Sequence, residues 1–133
     1  MANGKIKADT LEHSTAGSLD TQYVVNGSAK STLHYDHQAP AIRASFNVSS
    51  VTDDATGNLQ INYTSSFSNI YYSVYGSFSM NYGSSSALGY SAHADGSSER
   101  APQTANCFME SSTLNGSAFD SKYNMLATDG DLA

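Results

Sequence analysis

Alternating apolar and polar side chains predict three β-strands in the middle of this chain. Leu33 and Tyr35 share one face of the first alternating run, and residues 42–48 place an apolar side chain at every second position. Turn-forming residues at 52–58 separate this second run from a third one at residues 59–63. We therefore predict a half-buried strand followed by a β-hairpin.

The remainder of the chain predicts further strands and no long helix. Alternation recurs at residues 71–82 and 105–109, and shorter runs at 88–94 and 118–127 are also predicted to be strands. No window of 11 or more residues carries apolar side chains at helical spacing. The expected class is therefore all-β, an antiparallel β-sandwich or jelly-roll-like domain.

The N-terminal residues differ from the rest in having no sustained period. Residues 1–25 scatter apolar positions among small and polar ones, which predicts an extended N-terminal arm. Asn26, Gly27 and Ser28 form a turn signal, because Asn and Gly tolerate the positive backbone angles of tight turns. We therefore expect an arm at 1–25 and a compact β-sandwich module at 26–133, which ends in an acidic tail at 129–131.

The composition narrows the range of partners. The chain has a formal net charge of -6, and its six lysine and arginine residues are scattered along the sequence, whereas phosphate binding needs clustered positive charges. Nucleic acid and anionic membrane surfaces are therefore unexpected partners. No segment approaches the roughly 20 continuous apolar residues of a membrane span, so we expect a soluble chain without membrane insertion.

His34, Asp36 and His37 form the one cluster of potential metal ligands in the sequence. On a strand, His34 and Asp36 point to the same side, about 7 Å apart along the chain. A structural zinc site needs four ligands, so a site here would require groups from a neighbouring part of the chain or a neighbouring subunit. We predict a polar strand face and no metal or other cofactor, and leave open a metal bound at a subunit interface.

No residue pattern predicts an enzyme. Asp53 and Asp54 are adjacent, and adjacent side chains on a strand or turn point apart, which favours turn formation over a glycosidase-type carboxylate pair. The serine-rich stretch 83–89 lacks the spacing of a nucleophile elbow. Cys107 lies among apolar neighbours, which favours a buried thiol over an activated one. We therefore predict no catalytic residues.

Tyrosines are the most suggestive candidates for a binding surface, because an exposed tyrosine offers rigid amphipathic area to a glycan or a protein. We predict Tyr71, Tyr75 and Tyr90 as surface-binding residues, together with Asp95 and Arg100 from the most loop-like stretch of the module. The competing interpretation is that half of the tyrosines are core or subunit-interface residues.

Three stretches carry a resemblance to a known family. Residues 25–30 read VNGSAK, residues 41–53 read AIRASFNVSSVTD, and residues 57–64 read GNLQINYT. Together they resemble a module that recurs in tail-fibre and other virion proteins of marine bacteriophages. The resemblance covers roughly residues 16–76 and leaves residues 81–133 unmatched. This chain departs from the family at Ala44, where Asp is usual, and in lacking an aromatic-rich strand after Lys30.

The resemblance implies a virion component made in the host cytoplasm, a homo-oligomer that is most often a trimer, with the arm at 1–25 attached to other virion proteins. The leading interpretation is a fibre or appendage subunit that displays a β-module for binding a host-surface glycan or protein. A capsid decoration (cement) protein that stabilises the head is the alternative, because such an arm could also clamp capsid subunits. A polysaccharide-degrading tailspike fragment is disfavoured, since 133 residues show no β-helix repeats.

Overall fold

Two four-stranded antiparallel sheets pack face to face and form a β-sandwich. The computed structural model describes residues 8–14, 17–79, 87–91, 102–113 and 117–133. The predicted all-β sandwich is confirmed. The described ranges contain no helix with the length and apolar character that crossing a bilayer requires.

The chain order of the elements shows how the two sheets are built. The first sheet has the order β4-β3-β10-β7, the second sheet has the order β5-β6-β9-β8, and a separate hairpin pairs β1 with β2. Within the described residues the elements are β1 (Thr10–His13), β2 (Gly17–Asp20), α1 (Thr21–Gly27), β3 (Ser31–Asp36), β4 (Ala41–Phe46), β5 (Val48–Ala55), β6 (Asn58–Tyr63), β7 (Ser73–Ser79), β8 (Ala87–Ser91), β9 (Asn106–Thr113) and β10 (Tyr123–Asp129).

The core lies between the central strands of the two sheets. Strands β6 and β9 bury alternate side chains, as their period-2 sequences require, and β3 and β10 face them from the first sheet. Full burial of one large apolar side chain contributes about 1.5–3 kcal/mol to folding. The buried apolar residues are Leu33, Tyr35, Leu59, Ile61, Tyr63, Phe67, Tyr72, Cys107, Met109 and Leu126.

Three aromatic rings close one end of the sandwich. Phe67 stacks on Tyr72 with ring centroids 4.4 Å apart and meets the edge of Tyr63 at 4.9 Å. The Tyr72 hydroxyl donates to the Gln103 and Asn106 carbonyl oxygens, both at 2.8 Å, so the buried phenol is satisfied. The C-terminal residues complete this end, because Leu132 pairs with Phe67 in a β-bridge. The predicted acidic tail is thus docked against the sandwich.

Asn47 forms the corner at which one continuous edge strand passes from the first sheet to the second. Its φ of 54° lies in the left-handed region, which Asn tolerates better than most residues. The side chain fixes this geometry: its amide donates to the Ser65 carbonyl at 3.1 Å, and its oxygen accepts from the Ser65 amide at 2.7 Å. The alternating run predicted at 42–48 therefore breaks here into β4 and β5.

Ala44 and Phe46 of β4 point away from the core, whereas Ile42 lies opposite the buried Tyr35. Pairing with β3 places Ser45 opposite the buried Leu33 and Phe46 opposite the exposed Thr32. A bulge between His34 and Tyr35 shifts the register further along the strand. Alternating apolar and polar residues show that the two faces of a strand differ. Which face meets the core depends on how the strand pairs with its neighbour.

The described residues of the predicted extended arm contain regular structure. Leu11 pairs with Leu19 across the β1–β2 hairpin, and α1 follows directly, so this region is a hairpin and a seven-residue helix where we predicted an extended chain. Short-range hydrogen bonds hold it, since the Thr21 amide donates to the Asp9 carbonyl at 2.9 Å. The turn predicted at Asn26, Gly27 and Ser28 coincides with the end of this helix.

Gly57 is required by the tight turn between β5 and β6. Its φ of +75° is left-handed, and a Cβ there would lie 2.5 Å from the Ser111 carbonyl oxygen. We expect Gly57→Ala to lower the free energy of unfolding by about 1–3 kcal/mol, because alanine is strained at this backbone angle. Urea denaturation measures the change. Gly27→Ala is the matched control, because a Cβ at Gly27 meets nothing within 4 Å. Equal stability of both variants would contradict this account of the turn.

Candidate functional site

The structure describes two of the five predicted surface residues fully. Tyr71 is 89% exposed, and Tyr75 is 51% exposed on the outer face of the first sheet. Tyr90 lies in β8, although its side chain is outside the described part of the structure. Asp95 and Arg100 lie outside the described residues, so their predicted roles are untested.

The outer face of the first sheet carries two rows of side chains that run across all four strands. In the first row Phe46, Thr32, Ala127 and Tyr75 are successive cross-strand neighbours. Their chain neighbours, such as Leu33 and Leu126, are buried, so the members of this row point outward. The second row comprises Ala44, His34, Met125 and Ser77.

We call this surface, together with Tyr123, the aromatic face. Its large side chains remain accessible in the described part of the chain: Phe46 is 59%, Tyr75 51%, Met125 44% and Tyr123 42% exposed. The ring of His34 lies 5.8 Å from that of Tyr123, which extends the apolar area along the strands. Neither row contains Asp, Glu, Lys or Arg. An uncharged apolar surface of this kind is typical of an interaction site.

The outer face of the second sheet is different in character. Gln60 donates to the side-chain oxygen of Asn62 at 2.6 Å, and Asn62 donates to the hydroxyls of Ser50 and Thr52 at 3.1 and 3.3 Å. These amides and hydroxyls satisfy one another and stay compatible with water. The two outer faces of one sandwich thus differ, and the aromatic face is the one suited to apolar contact.

A histidine between two carboxylates joins the sheets at the end opposite the aromatic rings. The His37 side chain is fully buried, and its Nε2 atom lies 3.1 Å from Asp53 Oδ1 and 3.4 Å from Asp120 Oδ1. Asp120 also accepts a hydrogen bond from the Gly57 amide at 2.8 Å. This cluster connects the end of β3 with β5 and with the segment before β10. Asp53 lies in strand β5, so the turn predicted at Asp53 and Asp54 is wrong.

The structure separates the three potential metal ligands His34, Asp36 and His37. Asp36 pairs with Arg43 at 2.7 Å, His37 faces Asp53, and His34 lies on the aromatic face. No group of three or more His, Cys, Asp or Glu residues in the described ranges is arranged to hold a metal ion. Asp36 is itself buried, since it is covered by its own ion pair, although the sequence predicted a solvent-facing position.

Buried hydroxyl and thiol groups at the centre of the sandwich have structural contacts. The Ser111 hydroxyl lies 3.1 Å from the Asn124 side-chain oxygen, to which the Ser121 hydroxyl also donates. The Cys107 thiol is fully buried, and burial raises its pKa to about 11. A thiol with a raised pKa is a poor nucleophile at neutral pH. The expectation of a buried Cys107 is therefore confirmed.

A cleft lies beside Tyr71 at the aromatic-ring end of the sandwich. It has a volume of about 280 Å³ and is lined by Asn69, Tyr71, Asp129, Gly130 and Asp131. The Asn69 side-chain oxygen accepts from the Tyr71 amide at 2.8 Å, which fixes the loop that presents the ring. An open aromatic side chain beside carboxylate and amide groups can contact a sugar or a polar peptide.

Sequence reasoning found the exposed Tyr71 and, on the aromatic face, Tyr75, but missed the other members of that face. Phe46 was recognised only as one apolar position of an alternating strand. Met125 and Tyr123 belong to a stretch without alternation, since both faces of β10 carry bulky side chains. No signal within one strand could have shown that these residues are cross-strand neighbours, because register depends on the partner strand.

Comparisons with known proteins give no relative. No protein-family model, no curated protein and no solved structure matches this chain. The function must therefore be argued from the residues and their geometry.

The Asp36–Arg43 pair predicts a pH-dependent contribution to stability. The hydrogen bond from Arg43, followed by that from the Ala39 amide, lowers the pKa of Asp36 below its ordinary value of 3.8. The contribution is therefore present above pH 3.8 and is lost as the pH falls through the lower folded-state pKa. We expect Asp36→Asn to be less stable than wild type at pH 7, with a difference that shrinks below pH 3.8.

Denaturant unfolding across this pH range measures the difference. Arg43→Gln is the matched variant, because it removes the same pair from the other side. We expect the double variant to lose less than the sum of the two single losses. A difference between wild type and Asp36→Asn that is constant with pH would contradict the assignment.

Proposed function

We propose that this chain is a non-enzymatic structural protein of a bacteriophage particle, a fibre or appendage subunit. In this proposal an N-terminal region attaches the subunit to other virion proteins, and the β-sandwich oligomerises and is displayed for contact with the host surface. The chain acts in the virion after synthesis in the host cytoplasm. The resemblance of residues 25–30, 41–53 and 57–64 to phage fibre modules supports the phage setting.

One observation carries the proposal: eight of the twelve exposed large apolar side chains among the described residues lie in two separate places. One place is the aromatic face, and the other is the hairpin and helix at the N-terminus. Isolated monomers rarely leave such surfaces in water, whereas assembly proteins bury them against partners. In the N-terminal region these side chains are Leu11, Leu19, Val24 and Val25.

The connection between the N-terminal region and the sandwich suits an attachment role. Lys30 extends its ammonium group to the Val25 carbonyl and to the Ser28 carbonyl at 2.7 Å, and so neutralises the C-terminal end of α1. The Lys30 backbone amide donates to the Thr128 carbonyl of β10 at 2.8 Å. One residue thus ties the helix to the first sheet, and load on the arm would pass directly into a central strand.

The reactive groups of the described residues support a structural role over an enzymatic one. Asp53 faces His37, the Ser111 hydroxyl faces Asn124, and Cys107 is buried with a raised pKa. In each case the group is held by a contact that stabilises the fold. A hydrolase needs such a group in an accessible cleft beside a base or a second carboxylate.

In this proposal Tyr71 and the cleft beside it contact the host surface. This ring is the most exposed large apolar side chain among the described residues and lies next to Asp129 and Asp131. Glycans and polar peptides are the chemical classes that such a cleft can bind. Asp95, Arg100 and Tyr90 remain proposed members of the host-contact surface.

Deleting residues 1–25 tests the attachment role. We expect particles of a phage that encodes the deleted chain to lack this protein, because the exposed apolar side chains of the arm would be gone. Mass spectrometry of purified particles measures incorporation. Leu11→Ser/Leu19→Ser in the full chain is the matched variant, since it removes apolar area from one face of the hairpin without shortening it.

Particle stability and host adsorption distinguish the two structural roles. A fibre subunit should leave head stability unchanged when it is lost, while host adsorption falls. A loss of head stability with normal adsorption would favour a cement protein and contradict the fibre role. Full incorporation of both arm variants would contradict attachment through the arm.

Oligomerisation is tested by the mass of the purified full-length chain. We expect light scattering at micromolar concentration to give three times the 14.1 kDa mass of the chain, because a small sandwich with an apolar outer face gains stability by burying it. A mass of one chain throughout the micromolar range would contradict the trimer.

A further inference from the structure

We infer that the aromatic face binds a second copy of this chain, so that the copies of the oligomer pack through the outer face of the first sheet. This inference rests on the proposed function and names the surface that its oligomer would use. In the proposed trimer, a three-fold axis would bring three of these faces together around it. The other exposed features of the described residues, the arm and the Tyr71 cleft, then remain available to different partners.

The composition of the aromatic face matches the centre of a protein interface. Interface cores are enriched in aromatic residues and Met and depleted of charged residues. Phe46, Tyr75, Tyr123 and Met125 supply the first feature, and the two rows of uncharged side chains supply the second. Charged groups begin at the margin, where the Lys122 ammonium lies 5.5 Å from the centre of the Tyr123 ring.

The area of the aromatic face is on the scale that an oligomer interface needs. A half-exposed aromatic side chain offers on the order of 100 Å², so the three rings and Met125 together offer about 400 Å² per copy. A stable interface buries about 800 Å² per partner. The four largest side chains therefore provide about half of that area, and the exposed Thr32, Ala44 and Ser77 lie between them.

The uncharged rows allow a second copy to bind in spite of the net charge of the chain, and they disfavour a partner that is selected by opposite charge. Each chain carries a net charge of -6, so two copies repel each other wherever acidic surfaces meet. The two rows of the aromatic face are uncharged, and two such faces can approach without bringing carboxylates together. A partner selected by electrostatic attraction would instead require opposite charges on this surface. The outer face of the second sheet offers paired amides and hydroxyls, which gain little from leaving water.

Lysine substitutions on the two outer faces test the inference in the full chain. We expect Tyr75→Lys to weaken association about a hundredfold, because burying an unpaired charge at an interface is strongly unfavourable. Thr52→Lys adds the same charge to the outer face of the second sheet and should change association by less than about threefold. Sedimentation equilibrium measures both constants. Each variant reduces the net charge of -6 by one unit, so general repulsion cannot explain a loss of association.

Cross-linking gives a second measurement that does not depend on weakened binding. We expect Met125→Cys to be joined to another copy by a short bis-maleimide, giving a product of twice the 14.1 kDa chain mass, whereas Thr52→Cys should give none. The native Cys107 does not compete, because its thiol is fully buried. Circular dichroism of each variant checks that the sandwich is folded.

The outcomes separate this inference from the proposed function. An oligomer that persists unchanged in Tyr75→Lys, or equal cross-linking of Met125→Cys and Thr52→Cys, would overturn the inference while the chain could still be incorporated into particles. A wild-type chain that stays monomeric would also overturn it and would leave the face to another virion protein. Absence of the chain from particles would overturn the proposed function, even if copies associate through this face.

Discussion

The structure depends on the contact between two pairs of central strands, one pair from each sheet. Strands β3 and β10 of the first sheet lie against β6 and β9 of the second, and they supply most of the buried apolar side chains. A chain of 133 residues can bury only a modest core, so these strands have to use their inner faces fully. The edge strands pair with them through backbone hydrogen bonds and bring side chains to the outer surfaces.

This division explains why the two ends of the sandwich close differently. At one end the chain crosses between sheets through residues 64–72, and the rings of Phe67 and Tyr72 fill the space. At the other end His37 lies between Asp53 and Asp120, so a buried imidazole is close to two carboxylates. The aromatic end supplies apolar burial, whereas polar groups of both sheets meet at the opposite end.

The sequence predicted those strands whose apolar positions, read from the alternation alone, are also the positions that face the core of the sandwich. The buried faces of β3 and β6 follow from alternation around Leu33 and Ile61, and the hairpin between β5 and β6 follows from its turn residues. The exposure of Phe46 was not predicted, because alternation alone cannot tell which face of an edge strand meets the core. The burial of Asp36 was not predicted either, because its partner Arg43 becomes a neighbour only when β4 folds back on β3. Register and cross-strand contacts depend on the whole fold and not on any single segment.

The same limit explains why the aromatic face could be found only in three dimensions. Its members come from four strands, and the central strand β10 is far in sequence from both of its neighbours: Thr32 is opposite Ala127, which is opposite Tyr75. No strand contributes more than three of the outward side chains, so none carries the pattern by itself. An apolar outer face costs solubility in a monomer, and the polar outer face of the second sheet shows that such a face is not inherent in this fold. The asymmetry between the two faces is the observation on which the proposed contact with a second copy rests.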